Sequence, residues 1–332
     1  MNKNFLDFMQ NYKGQKLAVA VSGGVDSICL LCWLADLKMD VTALHVNHRL
    51  RKAADEETEY VKELCKKLGV PCQIFYWEGE KPEAGLEAAA RNARYKMMTD
   101  FCLENNIDAL MVAHQADDQI ETFLMNLARG SGLYGLSAMR PVSYRDRVKI
   151  VRPLLKVYRK ELKQYCEDNG IKYYTDEMNK DPHYTRVRIR QNRYLLAEKL
   201  GISDARILLA IDNLNRSRDA LDAQISALVS EVMQKDYALF LESFLFDLAP
   251  DIRLKFFGTL IQKIGGNNYP ARLNSLANAL DKLKFDCKFT LGHCTVRRLG
   301  NKILIVPEGA KTSFRKKYEK YKRNEEKKLN KE

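Results

Sequence analysis

The chain has 332 residues, 46% hydrophobic and 30% charged, enough apolar content for two domains with cores of their own. It contains no run of eighteen or more apolar residues and no signal-peptide core in MNKNFLDFMQNYKGQK, so no membrane span and a cytoplasmic location are expected. The net charge is +12 and the pI near 9.2, which fits either a polyanionic partner or plain solubility; the clustering of the basic residues favours nucleic acid.

An apolar, β-rich run, Leu17 to Val21, enters the string SGGVDS, Ser22 to Ser27, and an apolar helical run, Ile28 to Leu34, leaves it. A glycine turn before a helix is often only structural. Here Gly23 and Gly24 let the backbone approach a ligand, and the following helix start offers N–H groups and a positive dipole end to an anion. Ser22, Ser27 and Asp26 stand where they can hold phosphate oxygens and a metal. The Lys-Ser/Thr of a Walker loop is missing, and the string instead looks like the pyrophosphate-binding loop of ATP pyrophosphatases.

The next apolar run, Val41–His45, leads into LHVNHRLRKAADEE. His45 and His48 lack a third partner at ligand spacing, so metal is disfavoured, and ligand contacts by Asn47, His48, Arg49 and Arg51 are preferred. Asp55–Lys67 is amphipathic, Cys72–Trp77 is a weaker strand candidate, and Leu86–Asn105 is helical. On that helix Arg91 and Arg94 stand at i,i+3, either as phosphate-binding forks or as solvated surface arginines. The run Ala109–Ala113 precedes His114 and the helix Gln119–Ala128. Asp117, Asp118 and Glu121 near its start are either a capped, solvated helix beginning or a carboxylate set for Mg²⁺ or a cationic amine. Three loops following strand ends make one site on one rim of a parallel sheet the economical reading.

Basic clusters follow at Arg140–Lys163 and Tyr184–Tyr194, and a third closes the chain at Phe314–Lys331. Apolar spacing from Ile207 to Met233 predicts one long helix, with further helices over Ile252–Ile264 and Arg272–Lys284. Phe289–Pro307 reads as two strands around a Leu-Gly-Asn turn. Eight cysteines are scattered; Cys29 and Cys32, although spaced Cys-x-x-Cys, lie in an apolar helix and read as core. The expected domains are a catalytic domain at 1–200, a long connecting helix with a helical substrate-binding domain at 201–285, a β-hairpin at 286–310 and a basic tail at 311–332 that is a frayed helix or disordered.

The strings SGGVDS, LHVNHRLR, LEAAARNARY, HQADDQIETFLMNLARGSGLYGL, RPLL (Arg152–Leu155) and TDEMNKDPHYTRVRIR, covering nearly all of 15–195, resemble the bacterial tRNA(Ile)-lysidine synthetases. Two departures are Ala113 where many members have Gly, and Arg186-Val187-Arg188 where Arg-Asn-Arg is usual. The resemblance implies an α/β fold: a parallel-sheet PP-loop ATPase domain, adenine nucleotide alpha hydrolase-like, with a mainly helical C-terminal region ending in a β-hairpin. It implies ligation of free L-lysine to carbon 2 of the wobble cytidine of the CAU-anticodon isoleucine tRNA, through an adenylated base, with ATP as substrate and Mg²⁺ as cofactor. A homodimer is left open.

By the same resemblance Asp26, Asp118, Arg91 and Glu121 are catalytic, with Asp26 and Asp118 as Mg²⁺ ligands. ATP binding falls to Ser22, Gly23, Gly24, Val25, Asp26, Ser27, His45, His114 and Arg94. The tRNA falls to His48, Arg49, Arg51, Arg129, Arg186, Arg188, Arg190, Arg297 and Arg298. The rivals are a tRNA thiolase using the same adenylation, a small-molecule synthetase, which fits the +12 charge less well, and a non-catalytic RNA-binding protein that keeps a nucleotide loop.

Overall fold

The short apolar runs of the first 200 residues become β1 (Leu17–Ala20), β2 (Val41–Asn47), β3 (Cys72–Tyr76) and β4 (Ala109–Met111). The computed structural model describes residues 1–49, 53–78, 82, 85–175, 183–267, 270–285 and 288–309. Two strands that the sequence reading took only as part of a basic cluster follow: β5 (Val142–Arg145) and β6 (Val148–Val151). Their hairpin turns at Asp146 and Arg147, both with positive φ, and so lacks the glycine that would have announced it. The sheet runs β3-β2-β1-β4-β6-β5, parallel except for β5, which closes the edge antiparallel to β6.

Alternation along the strands divides the core between the two faces of the sheet. Leu17 and Val19 join Ile28, Leu31, Trp33 and Phe5 on one side. Ala18, Leu44, Leu110 and Ile150 join Tyr95, Met98 and Cys102, from helix Leu86–Glu104, on the other. Cys29 and Cys32 are buried in the first of these cores, as their apolar setting implied. The strand order reverses at β1: β2 lies on one side of it and β4 on the other. SGGVDS and His114–Glu121 leave the sheet at the C-terminal ends of β1 and β4, the switch point at which open α/β sheets bind their ligands.

The chain divides into two compact units, Met1–Arg218 and Asp219–Glu332, and the division falls within helix Asp204–Val232. Helices Pro250–Gly265 and Leu273–Lys282 stand where helical spacing placed them. The expected hairpin is one part of a four-stranded antiparallel sheet ordered β7-β10-β9-β8, with β7 at Ala238–Leu241, β8 at Lys288–Leu291, β9 at Cys294–Leu299 and β10 at Lys302–Pro307. A second turn at Gly292 and His293, both in the left-handed region, divides the first expected strand of that hairpin into β8 and β9. Cys287 and the basic tail 311–332 lie outside the described residues.

The second unit holds its own core, in which Phe256 is fully buried against Phe240 and Phe244, each with ring centroids 5.7 Å away. Phe256→Ala is expected to cost about 3–5 kcal/mol in that unit. Amide hydrogen exchange should show lost protection across helix Pro250–Gly265 while β1, β2 and β4 keep theirs; equal losses in both units would show that the cores are not separate.

Candidate active site

The SGGVDS loop is braced from within. Gly23 takes φ 86°, a region other residues resist, and Gly24 caps helix Val25–Asp36 without any side-chain bond to the helix N–H groups. The Ser27 hydroxyl donates to the Gly24 carbonyl at 2.9 Å and accepts the Ser22 N–H at 3.1 Å, and the Ser22 hydroxyl lies 3.1 Å from it. A segment far along the chain backs the loop: the Tyr174 N–H donates to the Gly23 carbonyl at 2.9 Å, and Gly24 and Tyr174 form a parallel bridge. The result is a fixed concave turn at a helix start, the geometry that binds anions.

Carboxylates gather beside it. Asp26 Oδ1 is buried without a hydrogen bond, and Arg159 Nε stands 3.6 Å away. Burial raises the Asp26 pKa to about 6; Arg159 opposes the shift, and Asp118 and Asp117 add to it. The loops after β1 and β4 therefore bring their acids within electrostatic range. Asp118 Oδ2 accepts the Gln115 N–H at 3.1 Å, closing a capping box on helix Ala116–Ala128, and burial raises its pKa too. Asp117 accepts the Arg159 N–H at 2.9 Å and pairs with Arg193. Glu121 is wholly buried, held by Arg190 at 2.7 and 3.1 Å and by Arg186 at 3.3 Å. The alternative of a capped, solvated helix start is half right: Asp118 caps, but Glu121 is out of water.

A cationic half faces this acidic one. His114 is held neutral, its pKa pushed down to about 3 by burial and then by Arg152, Arg91, Arg186 and Arg94. Arg91 and Arg94 lie over the Tyr95 ring at 5.1 and 5.8 Å. His45 is buried, with Nδ1 2.8 Å from the Val21 carbonyl and Nε2 3.0 Å from the Thr58 hydroxyl. Both of its ring nitrogens are used inside the fold, so it steadies the strand end that carries the loop rather than presenting itself to a ligand.

The other expected nucleic-acid contacts scatter. Arg49 lies over Tyr76 at 4.6 Å and 3.5 Å from Glu78; His48 meets Trp77 edge-on at 5.8 Å. Arg51 lies outside the described residues. Arg129 is exposed at the end of its helix. Arg188 donates to the His183 carbonyl and the Thr185 hydroxyl, away from Glu121. Val187 is buried, so the departure from Arg-Asn-Arg is an apolar anchor between two arginines. Arg297 is exposed on β9. Arg298, expected as a tRNA contact, is instead engaged within its own unit: it donates to the carbonyls of Leu283, Lys284 and Gly300 and pairs with Glu242 at 2.6 Å.

Arg159, Arg193, Arg152 and Tyr174 were not singled out from the sequence, though Arg152 opens the RPLL string. No group of three or more His, Cys, Asp or Glu able to hold a metal occurs among the described residues. Asp26 and Asp118 supply two carboxylates, and the unbonded Asp26 Oδ1 fits a Mg²⁺ whose remaining ligands are phosphate oxygens and water.

A glycine–serine loop before a helix, at the strand-order switch of a mainly parallel sheet, defines a PP-loop nucleotide-binding fold, and the PP-loop domain family matches residues 1–195. Among relatives, a tRNA(Ile)-lysidine synthase of Ruegeria pomeroyi is 35% identical over 315 residues, covering 89% of this chain and 74% of its own. One from Zymomonas mobilis is 40% identical over 211 residues, covering 62% of this chain and 63% of its own. The chain belongs to the tRNA(Ile)-lysidine synthase family. A U34-tRNA thiolase structure from Methanococcus maripaludis shares the fold, with TM-score 0.53 and 18% identity, over 64% of this chain and 77% of that one.

The raised Asp26 pKa has a consequence for stability. An ionised carboxylate in this setting costs stability above pH 6, and protonation relieves the cost as pH falls through that value. Ligand-free Asp26→Asn is therefore expected to be more stable than the parent at pH 8, with the gap narrowing as pH falls below 6, to about half at pH 5, and closing only near the unfolded carboxylate value of about 4. Urea unfolding at pH 8 and pH 5 checks this; an unchanged gap would show that Asp26 is not strained.

Proposed function

We propose that this chain ligates free L-lysine to carbon 2 of the wobble cytidine in the CAU-anticodon isoleucine tRNA, in the cytoplasm, changing its codon and aminoacylation specificity from methionine to isoleucine. The observation that carries the reading is the convergence of Asp26, from the loop after β1, with Asp118, from the loop after β4, beside an anion-binding helix start. Membership in the lysidine synthase family supplies the reaction.

The carbon-2 oxygen of cytidine attacks the α-phosphorus of ATP, and pyrophosphate leaves. The ε-amine of lysine then attacks carbon 2, AMP departs with the oxygen, and the amine gives up its proton. No protein nucleophile is needed, because the adenylated base is the electrophile. Ser22, Gly23, Gly24, Val25 and Ser27 cradle the departing phosphates with backbone N–H and hydroxyl groups. Arg91 and Arg94 counter the charge that builds at the α-phosphate. Mg²⁺ held by Asp26 and Asp118 would supply further charge neutralisation on the phosphates. Asp118 takes one backbone N–H in the described contacts, whereas Glu121 is gripped by two arginines; Asp118 is thus the readier acceptor for the lysine ammonium, and Glu121 sets the arginines around it. Arg186 and Arg190 act on the tRNA from that anchored position, and exposed Arg129 and Arg297 add outlying phosphate contacts.

Mass spectrometry of nucleosides after incubation with tRNA, ATP and lysine tests the reading: lysidine should appear with stoichiometric AMP. Asp26→Ala and Asp118→Ala should each slow adenylation by about 10² to 10³, read as ATP–pyrophosphate exchange; near-parental rates in folded variants would overturn the roles. Cys29→Ser with Cys32→Ser should keep the activity, at a packing cost of about 1–3 kcal/mol. Loss of activity in a folded double variant would revive the thiolase reading.

A further inference from the structure

Arg91, Arg94 and Arg152 on the cationic side of the site lack the carboxylate partners that the acidic side enjoys; Arg145 beside them donates to the Asn92 side-chain oxygen at 2.9 Å and lies 3.6 Å from Asp146 at the hairpin turn. The Tyr95 ring, itself buried, is the hub: the guanidinium carbons of Arg145, Arg91 and Arg94 lie 4.4, 5.1 and 5.8 Å from its centroid. Arg152 completes the group. It leaves the C-terminal end of β6 beside the end of β4, and its Nη1 donates to the Arg140 carbonyl at 3.0 Å and the Ser143 hydroxyl at 2.9 Å. Ser143 and Arg145 alternate on β5, so both face the helix that carries Tyr95. Among the described residues no carboxylate pairs with Arg91, Arg94 or Arg152. Arg152 Nε and His114 Nδ1 are buried with no hydrogen-bond partner. Burial lowers the pKa of Arg94 and of Arg152, and neighbouring arginines lower both further. Buried donors and cations without counter-charges describe a site for an anion.

We propose that Arg152, with Arg145 on the Tyr95 ring, holds a phosphodiester of the RNA strand next to the reacting nucleotide, leaving Arg94 on the inner side of that ring to the α-phosphate. This rests on the tRNA-modifying reading above. Position favours RNA over the triphosphate of ATP. The SGGVDS loop already provides a phosphate cradle, and β6 lies two strands away from β1, about 10 Å at ordinary strand spacing. From Arg152 the cations continue outward, through partly buried Arg145 to exposed Arg91 and to Arg147 at the hairpin turn, where Tyr144 is 69% exposed. A track of arginines with an aromatic beside it suits a chain of phosphates and splayed bases rather than one compact ligand.

The test uses the full chain with Arg152→Gln, Arg152→Lys and Arg145→Gln, each checked by circular dichroism and ATP binding. Arg152→Gln should raise the KM for tRNA about tenfold or more, as expected for a lost charge-assisted contact, and leave those for ATP and lysine unchanged. The log–log salt dependence of tRNA binding should become shallower by about 0.7. Arg152→Lys should recover the salt slope but only part of the affinity, because an ammonium keeps the charge without the fork. If Arg152→Gln does not fold, because the Arg140 and Ser143 contacts are lost, Arg145→Gln decides through the same slope. An unchanged tRNA KM and slope in folded variants overturns the proposal, as does a rise confined to ATP or to lysine. Parent protein that binds tRNA yet forms no lysidine would sink the parent reading instead, and the salt slopes would still judge the phosphodiester site.

Discussion

Everything in the first unit is arranged around holding several carboxylates together in a place poor in water. Asp26, Asp117, Asp118 and Glu121 arrive on two helix starts at adjacent strand ends, and burial raises the pKa of Asp26, Asp118 and Glu121. Such a group is stable only with compensating cations. They come from one later stretch: Arg159 toward Asp26, Arg193 toward Asp117, and Arg186 and Arg190 on Glu121. The same stretch carries Tyr174 back to the phosphate loop. The polypeptide after β6 is thus the counterpart of the loops after β1 and β4, supplying the cations that their carboxylates require.

The consequence for chemistry is a division of charge within one site. On one side, carboxylates with raised pKa values and an unbonded oxygen suit a divalent cation or an ammonium. On the other, arginines without acidic partners and a neutral histidine suit phosphate. Cytidine adenylation followed by amine attack needs both kinds of place at once, since phosphate charge must be countered while a lysine cation is admitted and deprotonated.

What could be read from the sequence follows locality. The SGGVDS turn, the apolar strands and the helix carrying Arg91 and Arg94 are defined by residues a few positions apart, and each was legible. The pairing of Glu121 with Arg190 and of Asp117 with Arg193 spans 69 and 76 residues, and no periodicity carries such a signal. The β5–β6 hairpin was hidden because Asp146 and Arg147 make a left-handed turn without glycine, inside a run that reads as a basic cluster. The third strand of the terminal sheet was hidden by a short Gly292-His293 turn inside an otherwise strand-like run. Arg298 looked like surface charge beside Arg297, yet alternation on β9 turns one side chain to solvent and the other onto the end of helix Leu273–Lys282.

The departure from the family string at position 187 becomes intelligible on the same grounds. Position 187 stands between Arg186 and Arg188 on a helix whose Arg186 and Arg190, one turn apart, both reach Glu121. The side chain between them points elsewhere, and in this chain that direction is buried. Removing Val187 from water there favours the packed position of the short helix Thr185–Asn192 without any polar contact from residue 187 being required. The two arginines are then positioned by packing rather than by a polar contact of residue 187. The grip on Glu121 is thereby accompanied by the burial of the side chain that follows Arg186, while both arginines stay on the Glu121 side of the helix.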